Sequence, residues 1–281
     1  MTMLPSGKAD PAATSSSQAI GIGIGPLLRS WRQQRRLSQL ELALRADSSA
    51  RHISFVETGR SRPSEEMVLR LAEHLEVPMR ERNDLLLAAG YAPRFSRTPL
   101  DDPALEAVRE GIERLIQGYE PYPALVFDAS YHVVAANRGI MMLLDGVPEF
   151  LLRPPLNTMR LTLHPQGLAP RIRNLREWRG HLLDQMRRQI ALSRSGSLRE
   201  LYEEVAAYPM PEPEGDGPES SEPVPYFALP MRIEHEGRTL SFISSTSTFN
   251  TPMDVTVAEL AIETFLPADP ATVKYLHTLL P

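Results

Sequence analysis

The chain has 281 residues, 42% of them hydrophobic, which is enough for two domains with proper cores. It contains no cysteine, which excludes disulfides and thiolate metal sites, and no run of 18 or more apolar residues, which excludes a membrane-spanning helix. A formal net charge of −5 excludes a general polyanion binder, and because no basic-then-apolar export signal is present we expect a cytoplasmic protein.

Residues 1–25 predict a flexible leader, rich in serine and glycine. They end in the run GIGIG at 21–25. This run follows no predicted strand, and a glycine-rich loop that holds phosphate needs a strand before it and a helix after it. The leader is therefore not expected to bind a nucleotide.

Residues 37–63 predict two short helices joined by a tight turn. Ser38 and Glu41 have the spacing of a capping box, in which each side chain satisfies a backbone amide at a helix start. Ser49 is suited to cap the second helix, and Gly59 to end it with a left-handed backbone. Since two such short helices bury little by themselves, the pair is typical of a helix-turn-helix, whose second helix enters the major groove of DNA.

The flanking sequence extends this pair to a bundle of five helices over residues 26–97. This segment holds 13 arginines and no lysine against 9 acidic residues, a net charge of +4, whereas residues 98–281 carry a net charge of −9. One basic lobe on an acidic chain is expected when phosphate contact is confined to one domain. The pattern favours DNA binding over the alternative, a generic five-helix bundle with no nucleic-acid partner.

The second domain, predicted at residues 98–275, mixes helices and strands. Residues 123–144 indicate strand, tight turn, strand and helix, an opening that resembles PAS-like sensory domains. Apolar residues from 172 to 190 follow helical spacing, and residues 226–249 predict two strands around a Glu236-Gly237 turn. The stretch 210–225 has five acidic residues, five prolines and no basic residue, which predicts an inserted surface loop. A lid over a pocket is its less favoured alternative.

The segments HISFVETGRSRPS and LRLAEHLEVPMRERNDLLLAAGYAP carry a family resemblance. Residues 26–91 resemble the Cro/repressor-type helix-turn-helix family, also called the xenobiotic-response-element (XRE) family. Residues 26 to about 270 are similar to the bacterial regulators of this family that end in an MmyB-like ligand-binding domain. The resemblance implies a lambda-repressor-like bundle followed by a PAS-like α/β sensor domain. Asp47 replaces the glycine that often makes the turn, and Ser48 replaces a small apolar residue, but aspartate tolerates a left-handed backbone.

The family pattern also implies which residues contact DNA. It places Gln39 at the start of the second helix, within reach of a phosphate or a flanking base. The exposed front of the recognition helix would carry Ser49, Ala50, Arg51, Ser54 and Phe55. We expect Arg51 to contact a guanine edge and Ala50 or Phe55 a thymine methyl group. Arg60 and Arg62, in the following loop, are expected to hold phosphates. The alternative for any one of these arginines is a solvated surface charge.

MmyB-like domains are regarded as small-molecule pockets, so the resemblance implies a cavity suited to a fatty acid-like chain. Methionines adapt well to flexible apolar ligands because they are unbranched and polarizable. The candidate apolar lining is Leu125, Phe127, Met141, Met142, Trp178, Leu182, Met186, Phe242 and Phe249. A carboxylate head needs a cation, a histidine or an amide, for which the candidates are Arg160, His164, Arg173 and Asn174. The alternative is that the apolar residues simply fill the core.

No catalytic motif is recognisable in the sequence. A G-x-S-x-G elbow, an H-E-x-x-H motif and paired histidines at i, i+4 are all missing, and the spacing of the seven histidines selects no haem ligand. We therefore expect a non-enzymatic, one-component transcription regulator that binds double-stranded operator DNA as a homodimer. No cofactor is expected apart from a bound lipid effector, and no membrane partner. Two alternatives remain: a C-terminal domain used only for dimerisation or protein interaction, and a catalytic domain that the bundle brings to DNA.

Overall fold

The computed structural model describes residues 23–193, 195–210 and 228–280. Its N-terminal part is the predicted bundle of five helices: α1 (Ile24–Gln34), α2 (Gln39–Arg45), α3 (Ala50–Glu57), α4 (Glu65–His74) and α5 (Met79–Ala88). The core of the bundle is closed around Trp31, which is 1% exposed. Each helix contributes to this core, with side chains that include Leu28, Leu42, Ile53, Val56, Leu71 and Leu85.

The first helix begins earlier than predicted. Residues 1–22 of the predicted leader lie outside the described residues, but Ile24 and Gly25 already belong to α1 and are buried. A Cβ atom on Gly25 would lie 2.5 Å from the carbonyl oxygen of Glu57, so only glycine allows α1 to approach the end of α3 this closely. The start was missed because Gly23, the residue before the helix, has no side chain to cap it.

The predicted turn between α2 and α3 is confirmed in detail. Ser38 and Glu41 form the full capping box, and the Ser49 hydroxyl accepts a hydrogen bond from the amide of His52. Asp47 adopts a left-handed backbone with φ of 49° where the family has glycine, and Gly59 ends α3 with φ of 72°. The local sequence therefore determines the angle at which α3 leaves the bundle.

The C-terminal part is an α+β domain built on one five-stranded antiparallel sheet. Its strands are β1 (Ala124–Phe127), β2 (Val133–Ala136), β3 (Met231–His235), β4 (Arg238–Thr248) and β5 (Ala261–Pro267), in the spatial order β2-β1-β5-β4-β3. Its helices are α6 (Glu106–Gly118), α7 (Arg138–Leu143), α8 (Thr158–Leu163), α9 (Leu175–Leu192), α10 (Gly196–Ala206), α11 (Val255–Ala258) and α12 (Pro270–Leu279). The likeness to PAS domains stays a prediction.

The two faces of the sheet are covered differently. One face, called the inner face here, carries Leu125, Phe127, Phe242 and Phe265, and packs against α7 to α10 and α12. The opposite, outer face packs against α6 through Ile112 and Ile116. Fully buried Asn137 joins the layers: it caps α7, accepts from the amide of Ala124 and donates to the carbonyl oxygens of Ile116 and Tyr122.

Several predicted boundaries in this domain are wrong, whereas the predicted hairpins are confirmed. The helix expected from residue 172 begins at Leu175, because Ile172 instead forms a β-bridge with Ile233. The final helix runs to Leu279, beyond the predicted domain end at 275. Residues 261–267 were not predicted as a strand, yet they form β5 at the centre of the sheet. Residues 211–225 of the predicted acidic loop lie outside the described residues.

Candidate DNA-binding surface and ligand-binding core

Helix α3 is anchored by one face and leaves the other free. Ile53 and Val56, three residues apart on the same side of the helix, are fully buried and pack that side against the bundle core. Arg51 is exposed, while Ala50, Ser54 and Phe55 are half-buried. The predicted recognition helix therefore presents a short polar and aromatic front of about two turns.

Phe55 organises two of the predicted arginines. The guanidinium carbon of Arg51 lies 5.2 Å from the centre of the Phe55 ring, and that of Arg60 lies 6.0 Å from the same centre. These are cation–π distances, which favour two cations beside one half-buried ring although the cations repel each other. Arg51 on the helix and Arg60 in the loop thus form one basic surface around the Phe55 ring.

Arg62 is held differently from Arg60. Its Nε donates to the carbonyl oxygen of Ala89 at 2.8 Å, and one terminal nitrogen donates to that of Gly90 at 2.9 Å. Its guanidinium also lies 4.8 Å from the centre of the Tyr91 ring. Arg62 ties the loop after α3 to the end of α5, and two of its five N–H donors are used in doing so.

Gln39, the remaining predicted DNA contact, belongs to a network at the base of α3. Its amide nitrogen donates to Glu57 Oε2 at 2.8 Å, and Arg32 makes two further bonds to the same carboxylate at 2.6 and 2.9 Å. The Glu57 side chain is only 2% exposed. Burial alone would raise the pKa of Glu57, but the hydrogen bonds from Arg32 and Gln39 outweigh it and hold the pKa below its usual value. Gln39 is therefore oriented by Glu57 rather than free.

The inner face of the sheet brings together most of the predicted apolar ligand residues. One buried cluster contains Leu125, Phe127, Trp178, Leu182, Met186 and Phe242, with Met142 packed against it. The sheet supplies three of the six buried side chains and α9 the other three, so residues from distant parts of the sequence meet in one core. The cluster is packed, since these six side chains are each at most 7% exposed. Two surface depressions, about 410 and 370 Å³ in volume, are lined by none of the predicted ligand residues.

Two predicted apolar residues lie elsewhere. Met141 is 54% exposed, because consecutive residues on a helix point about 100° apart and Met142 takes the inward direction. Phe249 follows the end of β4 and packs with the outer-face cluster that contains Ile112 and Ile116. Neither side chain therefore lies in the inner-face cluster, and a ligand contact by either one stays a prediction.

The four polar groups predicted to hold a carboxylate head all have protein partners. Arg160 makes two bonds to Glu204 at 2.8 and 2.7 Å, and Arg173 pairs with Glu234. Asn174 donates to the carbonyl oxygen of Pro230 and accepts from the amide of Arg232. His164 packs edge-on against Phe150 and Tyr208. A ligand carboxylate would have to compete with each of these contacts.

Sequence reasoning missed two polar groups on the inner face, Glu263 and Tyr131. Glu263 lies on the central strand β5, directly opposite Leu125 on one side and Thr246 on the other. Tyr131 is 4% exposed and stacks on Phe127, with ring centres 5.3 Å apart. Ala261, Glu263 and Phe265 are two residues apart and so share one face of a strand. This pattern indicates an inward-facing Glu263 only after residues 261–267 are recognised as a strand.

The two domains meet through α5 and the segment around α11. Arg80 on α5 makes a two-bond ion pair with Glu259, of which the bond from Nε to Oε1 measures 2.6 Å. The amide and hydroxyl of Thr98 donate to the Asp254 carboxylate at 3.0 and 2.7 Å. Glu259 directly follows α11 and precedes β5, so the ion pair links the DNA-binding bundle to the central strand of the sheet.

Glu81 also lies at this junction. Burial, together with the neighbouring Glu259 and Asp84 carboxylates, raises the pKa of Glu81 to about 7, although a backbone hydrogen bond and Arg80 lower it. One carboxyl group between the domains therefore titrates near neutral pH.

Neither a metal centre nor a membrane span emerges from the described residues. In these ranges no three histidine or acidic side chains lie close enough to hold a metal ion. Nor is any helix described there both long enough and apolar enough to cross a membrane.

Comparison with known proteins yields two family matches. The profile of the family described as MmyB-like transcription regulator ligand binding domain matches residues 108–279. A helix-turn-helix family profile matches residues 28–82. No curated protein matches the chain significantly.

Proposed function

Because the chain belongs to the MmyB-like transcription regulator ligand-binding domain family and carries a helix-turn-helix bundle, we propose that it is a one-component regulator whose affinity for operator DNA changes when a small apolar molecule binds. The observation that carries the DNA-binding half is the exposed front of α3, where Arg51, Phe55 and Arg60 form one basic surface. The core of the bundle fixes this front rigidly from behind.

Operator recognition divides between the two exposed arginines. Arg51 reads a guanine edge from the helix, and Arg60 holds a phosphate from the loop and sets the register. One module of this size contacts only a few base pairs, so specific binding uses a homodimer on half-sites about 34 Å apart, one helical turn.

The effector is a small molecule with an apolar body, such as a fatty acid-like chain, bound against the inner face of the sheet. The cluster of sheet residues and α9 residues supports this, since it is continuous and includes the adaptable side chains Met142 and Met186. Because this core is packed, binding requires α9 or its neighbours to move away from the sheet. That movement is the conformational difference that a ligand can exploit.

The junction between the domains supplies a route from effector to DNA. A ligand on the inner face contacts β5, and the same strand continues from Glu259, the partner of Arg80 on α5. A shift of β5 therefore changes how the bundle is held, and with it the spacing of the two recognition helices in a dimer. The sign of the response depends on which spacing matches the operator.

Two measurements test the proposal. Selection of random duplexes with the full-length protein should return a palindromic site with two half-sites about one helical turn apart. Mass spectrometry of an organic extract should find a stoichiometric apolar compound, or the operator affinity should respond to an added one. Failure to enrich any sequence would contradict the DNA-binding half, and an affinity indifferent to all apolar compounds would contradict the sensing half.

The packed inner-face core favours a second candidate function, in which the C-terminal domain serves only dimerisation or protein interaction. In that case the operator affinity depends on protein concentration through dimer formation but on no small molecule. Sedimentation equilibrium combined with operator titration separates the two functions, because only the sensor has a ligand-dependent affinity at constant dimer fraction.

A further inference from the structure

The centre of the inner face carries a carboxylate in an otherwise apolar surround. Glu263 lies in the middle strand of the sheet, beside Leu125 of β1, and the next residues along β5 on the same face are Ala261 and Phe265. A glutamate at this position is uncommon, since an acid removed from water costs free energy unless a partner compensates it. It is partly buried here and makes one protein contact, with the Ser244 hydroxyl donating to Oε1 at 2.5 Å.

No cation of the described residues compensates Glu263. Its second oxygen, Oε2, accepts no hydrogen bond from any residue in the described ranges, and no arginine, lysine or histidine there pairs with it. Burial raises the pKa of Glu263, and the Ser244 bond offsets this only in part. The contrast with Glu204, Glu234 and Glu259 is informative, because each of those acids already has its own arginine.

A second polar group faces the same place. The Tyr131 ring stacks on Phe127 within the inner-face cluster, and its hydroxyl has no hydrogen-bond partner among the described residues. Burial raises the pKa of Tyr131 to about 12; the charge of Glu263 also raises it, and that of Arg188 lowers it. Phe127, on which Tyr131 stacks, pairs with Ala261, two residues before Glu263 on the same face, so both polar groups lie on one part of the sheet.

The sheet next to Glu263 is open on the inner side. Thr246, its direct neighbour on β4, is exposed, and so is Thr248, which pairs with Ala261. The described helices cover Leu240 and Phe242 farther back on the same strand but not these threonines. A molecule can therefore reach Glu263 from this side, and its apolar body lies against Leu125 and Phe127 once the helices that cover them move away.

We propose that the effector carries a protonated amino group at one end of an apolar body, and that Glu263 binds this group with help from the Tyr131 hydroxyl. This rests on the proposed sensor function and specifies the head group of its ligand: an ammonium group rather than a carboxylate on the apolar chain. An ammonium group supplies the missing positive charge and three donors, which match Glu263 Oε2 and the Tyr131 oxygen. A carboxylate head would instead meet the charge of Glu263, and the two arginines predicted to hold it, Arg160 and Arg173, are already paired.

The test uses three probes that share one alkyl chain and differ only in the head group: decylamine, decanol and decanoic acid. Each is titrated into the full-length protein by isothermal titration calorimetry near neutral pH, below its micellar concentration. We expect decylamine to bind most tightly, by about tenfold or more over decanoic acid, because only the amine compensates the buried acid. This ranking in the unmodified protein needs no variant.

Variants then assign the preference to Glu263. Glu263→Gln should weaken decylamine binding by about tenfold while decanol changes by less than about threefold. Glu149→Gln, which removes a charge from an 87% exposed side chain of the same domain, is the matched control and should change neither. If Glu263→Gln does not fold, Tyr131→Phe retains the stacked ring and should still reduce the preference for decylamine over decanol.

Three results would overturn the inference. Tightest binding of decanoic acid, or a preference for decylamine that survives Glu263→Gln, would refute the amine assignment and leave the apolar sensor standing. Binding of none of the three probes would overturn the inference together with the proposed sensor function.

Discussion

Removing the charge of Glu57 should destabilise the DNA-binding bundle far more than a typical surface substitution. The carboxylate accepts three hydrogen bonds, two from Arg32 and one from Gln39, and its side chain is 2% exposed while that of Arg32 is 11% exposed. Glu57→Gln leaves the guanidinium without a compensating charge. Breaking one partner of a buried ion pair costs about 3–5 kcal/mol. Because Arg32 keeps its hydrogen bond to the Leu37 carbonyl oxygen, we expect Glu57→Gln to lower the free energy of unfolding by about 3 kcal/mol, the lower end of this range.

Thermal unfolding of the full-length chain measures this cost. Trp31 lies in the core of the bundle, and a Trp178→Phe background makes it the sole tryptophan reporter. For a domain of this size, 3 kcal/mol corresponds to a fall in Tm of roughly 12–24 °C. The pKa of Glu57 is lowered in the folded state, so the charge contributes stability above its ordinary titration range and loses it as the pH falls.

A matched control distinguishes burial from charge alone. Glu66→Gln breaks the pair with Arg70, in which the Glu66 side chain is 84% exposed, and should cost less than about 0.5 kcal/mol. A loss below about 1 kcal/mol for Glu57→Gln would refute the claim that this network holds the base of the recognition helix.

Three further predictions concern DNA recognition and the junction. Arg51→Ala should abolish the preference for the operator over other sequences, whereas Arg60→Ala should weaken binding to all duplexes and flatten the salt dependence by about one unit. Anisotropy titrations at several salt concentrations distinguish the two outcomes. If Arg51→Ala weakens binding to every sequence equally, its proposed role in reading a base is contradicted. Glu81, with a pKa raised to about 7, keeps its proton in the folded state while the unfolded chain loses it near 4.5, so stability falls as the pH rises through this window and stays low above it. Glu81→Gln should therefore raise Tm near pH 8 but not near pH 4, and an equal change at both values would contradict the assignment. Glu259→Gln breaks the ion pair between the domains. It should reduce by about fivefold the factor by which a bound probe changes operator affinity, without altering the affinity for the probe itself. If paired calorimetry and anisotropy titrations find this factor unchanged, the ion pair does not transmit the effect of the ligand to the bundle.

The helix-turn-helix was predictable because its determinants are local. Ser38, Glu41 and Ser49 act within three residues of their partners, and Asp47 makes the turn by its own backbone preference. The residues on the exposed front of α3 follow from the same short-range geometry. Capping and helical period are properties of neighbouring residues, so a single sequence contains them.

The sites that depend on distant partners were not predictable in this way. Arg62 bonds to Ala89 and Gly90, and Arg160 to Glu204, 44 residues away, so their apparent availability for a ligand was an artefact of reading each residue alone. Strand β5 escaped recognition because its sequence AIETFLP does not alternate apolar and polar residues, and because Glu263 suggests solvent. The most unusual polar residue of the sensor core was hidden for this reason.

The most direct test of the central claim is the affinity of the full-length protein for its selected operator, measured with and without each ten-carbon probe at constant dimer fraction. Coupling between a sensor site and DNA amounts typically to a factor of about 5–150, so at least one probe that binds by calorimetry should change the operator Kd by about fivefold or more. A probe that binds the C-terminal domain stoichiometrically and leaves the operator Kd unchanged would contradict ligand control of DNA binding.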